Sequence, residues 1–177
     1  MISEKTYNTK SASGWLPLIM MVVLFGSVLP LMAQEPPPRP VIITANPSQP
    51  LAFGAFTPGA AGGTITVPPD GSSRTTSGTV IPLNLGMMHT PAMFYIKANP
   101  GTVISLLAGP PSPISGSNGG TLYLQLDDTY PASPLVTMVP YQQQTTVLVG
   151  GTLTVGTIGS NPPGNYSGTI NVTFVQE

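Results

Sequence analysis

Residues 163–176 read PGNYSGTINVTFVQ, and this stretch decides which fold the sequence predicts. Counted in steps of two, Tyr166, Ile170, Val172 and Phe174 fall on one side, and mostly Ser, Thr and Asn fall on the other. This alternation is typical of a half-buried antiparallel strand, because successive side chains of a strand point to opposite faces of the sheet. We therefore predict one continuous final strand and expect the rest of the chain to supply its partners.

The upstream sequence is a series of short apolar runs separated by Gly, Pro, Asn and Asp. Pro68-Pro69-Asp70-Gly71 predicts a tight hairpin turn, since proline presets φ and Asp-Gly tolerates a positive φ. No window combines helical periodicity with capping residues. The pattern predicts an all-β fold, an immunoglobulin-like or pilin-like antiparallel β-sandwich over residues 51–177. The predicted upstream strands are 41–45, 51–56, 64–67, 77–83, 92–98, 102–108, 121–126, 135–140, 145–149 and 152–158.

Residues 1–33 have the profile of a signal peptide. Lys5 and Lys10 lie in a polar leader, residues 16–31 form an uncharged apolar run, and Met32-Ala33 precedes Gln34. We expect cleavage after Ala33 and no stable membrane span thereafter. The alternative is an uncleaved membrane anchor, which the slightly short run and its proline disfavour. In both cases the remainder is exported to the periplasm, the cell surface or the medium. Residues 34–50 then form a proline-rich lead-in and a first strand.

Charged side chains are scarce, at 6% of the chain against the quarter or so that is usual. Beyond residue 33 there are three cationic and five anionic side chains, a formal net charge of −2. Such a surface has no basic patch for nucleic acid, so we expect no nucleic-acid partner. A surface rich in Thr, Ser, Gly, Asn and Gln favours close contact with copies of the same chain.

The residues that could carry chemistry are few. The chain has no cysteine and a single histidine, His89, so it cannot form a zinc site alone. Copper bound by Met87, Met88 and His89 and weak calcium binding at Asp127-Asp128 are alternatives to purely structural roles. Adjacent carboxylates on a strand face opposite ways, which does not suit glycoside hydrolysis. We expect no catalytic, cofactor or metal site, and no enzymatic activity.

Several stretches in the same order resemble the bacterial secreted family known as domain of unknown function 4402. These stretches are residues 51–56, 62–67 with the Asp70-Gly71 turn, Ser77-Gly78, 150–156 and 163–172. The resemblance implies a secreted β-sandwich without known catalytic residues. It also implies a relation to spore-coat-U and chaperone-usher pilin domains, which assemble by lending a strand to a neighbour.

The sequence and the resemblance favour a structural protein, a subunit of a pilus, surface fibre or coat that associates with itself by β-strand addition. The predicted donor strand is Val41, Ile42, Ile43, Thr44 and Ala45. The predicted acceptor edge is the final strand, with Tyr166, Ile170, Val172 and Phe174. The alternative is a monomeric cell-surface binding module, such as an adhesin or carbohydrate-binding domain, for which exposed tyrosines would cluster on one face.

Overall fold

The structure is a computed structural model that describes residues 39–177, and these residues contain fifteen strands and no helix. The predicted signal peptide at 1–33 and residues 34–38 of the lead-in lie outside the described residues. Over 39–177 there is accordingly no helix that could span a membrane. The prediction of an all-β, antiparallel fold is confirmed, since every pairing between these strands is antiparallel.

Most strands are short, and only two exceed six residues. In chain order they are β1 (Ile42–Ala45), β2 (Ala52–Phe53), β3 (Phe56–Thr57), β4 (Gly63–Val67), β5 (Thr75–Gly78), β6 (Ile81–Pro82), β7 (His89–Thr90), β8 (Ala92–Lys97), β9 (Val103–Leu107), β10 (Ser112–Gly116), β11 (Thr121–Tyr130), β12 (Leu135–Val136), β13 (Thr145–Val155), β14 (Tyr166–Ser167) and β15 (Thr173–Gln176).

The larger sheet is organised around β13. Its strand order is β1-β8-β13-β11-β10-β14, and β4 also pairs with β13 and carries β5 on its other side. The prediction of two strands at 145–149 and 152–158 is wrong, because β13 runs without a break through Gly150-Gly151. A Cβ at Gly151 would lie within about 3 Å of the Leu51 and Leu124 side chains, so the glycine leaves room for the core instead of ending the strand.

A smaller sheet with the order β12-β9-β15 faces the larger one. Ile96 and Val147 of the larger sheet share a buried cluster with Ile104 and Leu135 of the smaller. After Asn99-Pro100-Gly101, the predicted strand at 102–108 forms β9, which does not pair with β8. The chain crosses instead to the opposite sheet, where β9 pairs with β12 and β15.

The predicted continuous strand at 163–176 is also wrong in one respect. It is divided into β14, which pairs with β10 in the larger sheet, and β15, which pairs with β9 in the smaller. Residues 168–172 cross between the two sheets. The predicted apolar face is confirmed, because Tyr166, Ile170, Val172 and Phe174 are all partly buried against core clusters. The alternation therefore persists although the pairing partner changes.

The predicted hairpin at residues 68–71 is confirmed. It joins β4 to β5, with Gly63 opposite Gly78 and Thr66 opposite Thr75. Within the turn, the Gly71 amide donates to the Pro68 carbonyl at 3.3 Å. The Ser72 amide donates to the Asp70 carboxylate at 2.9 Å.

Candidate functional site

An apolar groove of about 660 Å³ lies against the larger sheet. Its floor is a set of buried aliphatic side chains from three neighbouring strands of the larger sheet. Its first wall is residues 51–56, and its second wall is residues 166–170. Its rim is the segment 83–88. The floor residues are Ile114 of β10, Leu122 and Leu124 of β11, and Leu153 and Val155 of β13.

The first wall is held from its outer side. β2 pairs with β7, β3 pairs with β6, and the Leu83 amide donates to the Ala55 carbonyl at 2.9 Å. The Arg74 guanidinium donates to the Phe53 carbonyl, and its Nη2 donates to the Leu83 carbonyl at 2.9 Å. Because Arg74 reaches both segments, it fixes the wall and the rim to each other. The residues of this wall form no strand pairing toward the groove.

The second wall has free backbone groups. Pairing with β10 ends at Ser167, and pairing with β9 begins at Thr173. Within 39–177, the five residues 168–172 form no backbone–backbone hydrogen bond. An extended segment with unpaired N–H and C=O groups beside an apolar floor offers a template for another strand.

The groove is uncharged. Every Lys, Arg, Asp, Glu and His side chain of the described range lies outside its lining. The buried Asn161 side chain is already used: its Oδ1 accepts from the Gly156 amide at 2.6 Å, and its Nδ2 donates to the Thr121 carbonyl at 2.9 Å. The Tyr166 hydroxyl donates to the Pro162 carbonyl at 2.8 Å. These two polar side chains are therefore engaged in holding the fold and not free to orient a polar ligand.

The rim exposes large apolar side chains. Leu85, Met87 and Met88 are 68%, 62% and 76% exposed. Contiguous exposed apolar patches are typical of contact surfaces when they are large. The sequence alone offers structural roles or copper binding for Met87 and Met88, and it does not predict the groove. The signal that could have found it is the uncharged segment 84–88, with Leu85, Met87 and Met88, between the predicted strands 77–83 and 92–98.

The predicted donor residues form the edge of the larger sheet. β1 pairs with β8 of its own chain, with Ile42 opposite Lys97 and Ile43 opposite Ile96. All four β1 side chains are exposed, including Ile42 at 46% and Ile43 at 39%. Val41 alone packs partly against a core cluster. The pairing of β1 thus uses its backbone and leaves its large side chains in solvent.

Residues before β1 are fastened to Tyr141. The Arg39 guanidinium lies over the Tyr141 ring, 5.0 Å from its centroid. The Tyr141 hydroxyl donates to the Pro40 carbonyl at 3.1 Å. This contact holds the start of the first strand against its own domain.

The other sequence candidates have structural partners. His89 lies on β7 opposite Phe53. The Asp127 carboxylate accepts from Thr152 at 2.7 Å, and that of Asp128 accepts from the Thr129 amide at 2.7 Å. The predicted strand at 121–126 is too short, since the acidic pair forms a bulge within β11, which continues to Tyr130. In residues 39–177 no three His, Asp, Glu or Cys side chains are grouped as a metal site would need.

Comparison with known protein families places most of the chain in one family model. The family model described as a domain of unknown function (DUF4402) matches residues 43–175, which confirms the resemblance inferred from the sequence. Neither curated proteins nor solved structures produced a match to the chain.

Proposed function

The chain belongs to the DUF4402 family of domains of unknown function, and from this membership and its open strand edges we propose that it is a structural subunit that assembles by β-strand addition. The product would be a pilus, a surface fibre or a coat. The observation that supports the proposal most is the unpaired segment 168–172, of which Gly168 and Ile170 line an uncharged apolar groove. The proposal includes export through the N-terminal 33 residues and an immunoglobulin-like or pilin-like sandwich for the two facing sheets.

The donor in this proposal is residues 41–45, and the acceptor includes the apolar face of Tyr166, Ile170, Val172 and Phe174. Support for the donor comes from its edge position and from the exposed side chains of Ile42 and Ile43. Support for the acceptor comes from the interrupted pairing between β14 and β15. Low charge favours the same interpretation, because like-charge repulsion between copies is small.

The test is electrophoresis of material sheared from producing cells, with and without boiling, probed with an antibody to residues beyond 33. We expect a ladder of bands that collapses to one band on boiling, since strand-exchanged polymers are held by backbone pairing and burial without covalent bonds. Deleting residues 34–45 should abolish the ladder and leave a soluble domain. A single monomer band in both lanes would reject assembly by strand addition. A screen for bound glycans would then test the binding-module alternative.

A further inference from the structure

We propose that the apolar groove is the acceptor site, and that its occupant is residues 41–45 of a second copy of this chain, added as a strand beside residues 168–172. This inference rests on the proposed function and goes further by placing the contact on one surface. It also differs from simple exchange of β1 onto the β8 edge of a neighbour.

The groove suits a peptide better than a small molecule. Small-molecule sites combine apolar walls with a few free polar side chains that orient the ligand. Here Asn161 and Tyr166 are engaged within the fold. The unused hydrogen-bonding groups are the exposed Asn165 side chain and a row of backbone N–H and C=O groups along 168–172. Only an extended backbone could satisfy such a row of groups at strand spacing.

Residues 41–45 fit the groove in length and chemistry. The gap in pairing is five residues long, and five extended residues span about 16 Å at about 3.3 Å per residue. The segment Val-Ile-Ile-Thr-Ala carries no charge, and neither does the groove lining. Successive side chains of the added strand would point to opposite faces. Val41, Ile43 and Ala45 would then face the floor, and Ile42 and Thr44 would face outward.

Transfer of the segment has a physical driving force. At β8 the strand has backbone partners, but its two isoleucines remain 46% and 39% exposed. In the groove, backbone pairing along 168–172 would replace the pairing to β8, and Ile43 would also be removed from water. The exposed rim residues Leu85, Met87 and Met88 would cover the added strand. Apolar burial therefore favours the groove over the original edge.

The natural chain lacks cysteine, so single cysteines report contacts cleanly. One copy, enlarged by a tag, carries Ile42→Cys and is mixed with an untagged copy carrying Thr169→Cys. Both side chains would face away from the floor, Ile42 in the added strand and the exposed Thr169 in segment 168–172. Two controls place the untagged cysteine elsewhere. Lys97→Cys on β8 reports exchange of β1, and Thr76→Cys reports the open edge of β5. All three target side chains are accessible or partly so, and we expect these substitutions to preserve the fold.

Under mild oxidation we expect about tenfold more disulfide-linked heterodimer with Thr169→Cys than with Thr76→Cys. This is the preference that burial of one aliphatic side chain would give. Equal linkage at both positions, or dominant linkage at Lys97→Cys, would overturn the groove while leaving assembly by strand addition intact. If the unsubstituted protein forms no heat-labile ladder of bands, both the groove and the proposed function fail.

A second pair of variants avoids cysteine. Leu85→Ser with Met88→Ser changes the rim, and Val136→Ser with Met138→Ser changes exposed apolar side chains away from the groove lining. Met88 and Met138 are matched in exposure, at 76% and 78%. We expect the rim variant to lose most of the ladder of bands and the control to retain it. Equal assembly by both variants would contradict the groove.

Discussion

The rings of Phe94 and Phe174 meet edge to face, with their centroids 5.6 Å apart and their planes at 69°. Phe94 lies on β8 of the larger sheet and Phe174 on β15 of the smaller. Aromatic pairs in this geometry contribute beyond the area they bury. The pair therefore joins the two sheets at the point where the chain enters its last strand.

This pair predicts a measurable coupling. Because both rings are partly buried, Phe94→Ala and Phe174→Ala should each lower the free energy of unfolding by about 2 kcal/mol, less than for fully buried rings. The double variant should lose less than the sum, with a coupling of about 1 kcal/mol. Urea denaturation of the four proteins measures the cycle. Strict additivity would show that the rings do not stabilise each other.

The second prediction concerns the hydrogen-bonded side chains of Asp127, Thr152 and Thr66. Thr152 Oγ1 donates to Asp127 Oδ2 at 2.7 Å and lies 2.7 Å from the Thr66 hydroxyl. Thr152→Val removes both bonds and leaves the carboxylate at the β11 bulge without this donor. We expect unfolding free energy to fall by about 1.5 kcal/mol. The matched control is Thr64→Val, whose hydroxyl contacts the exposed Ser77 hydroxyl, and it should cost about 0.5 kcal/mol or less. A control that costs as much as Thr152→Val would contradict the assigned role.

The sequence predicted the local features of the fold well. The hairpin at Asp70-Gly71 and the buried face of the final segment both follow from rules that act over a few residues. Sheet membership was less predictable. Nothing in Asn99-Pro100-Gly101 distinguishes a turn back to the same sheet from a crossing to the other, because that choice depends on distant partners such as β12 and β15. The groove escaped prediction for the same reason, since its floor and walls come from segments far apart in the chain.

Two glycines of this hairpin are needed for different reasons, Gly63 for lack of space and Gly71 for its backbone conformation. Gly63 has φ +151°, and a Cβ there would collide with the Ser77 carbonyl oxygen across the hairpin. We expect Gly63→Ala to lower unfolding free energy by at least about 2 kcal/mol. Gly71, in the turn, has φ +75° and open space around it, so Gly71→Ala should cost only the strain of a left-handed residue, about 1 kcal/mol. Thermal denaturation ranks the variants, with Gly109→Ala as a neutral control because its Cβ would meet nothing within 4 Å. A reversed order of Gly63 and Gly71 would disprove the close approach of β4 and β5.

The same turn has a defined pH response. Hydrogen bonds from the Ser72 backbone amide and then its side chain lower the pKa of Asp70 below its ordinary value of 3.8. A carboxyl whose pKa is depressed by folding contributes stability above its unfolded pKa and loses it as the pH falls through the folded pKa. The stability difference between the natural protein and Asp70→Asn should therefore shrink as the pH is lowered from well above 3.8 to below it. Urea midpoints measured across this range test the sign. A difference that grows on acidification would contradict it.

The last prediction concerns the Tyr141 contact, which must break before the donor strand is released. The Tyr141 ring holds Arg39, and its hydroxyl holds Pro40, so both must part before residues 41–45 can move to another copy. If this release limits assembly, Tyr141→Ala should accelerate appearance of the heat-labile ladder of bands by about threefold, the factor that corresponds to an exposed cation–π contact. Tyr141→Phe keeps the ring and removes the hydroxyl, so its assembly rate should lie between those of the natural protein and Tyr141→Ala. Assembly that slows in the alanine variant would show instead that Tyr141 supports the assembled state.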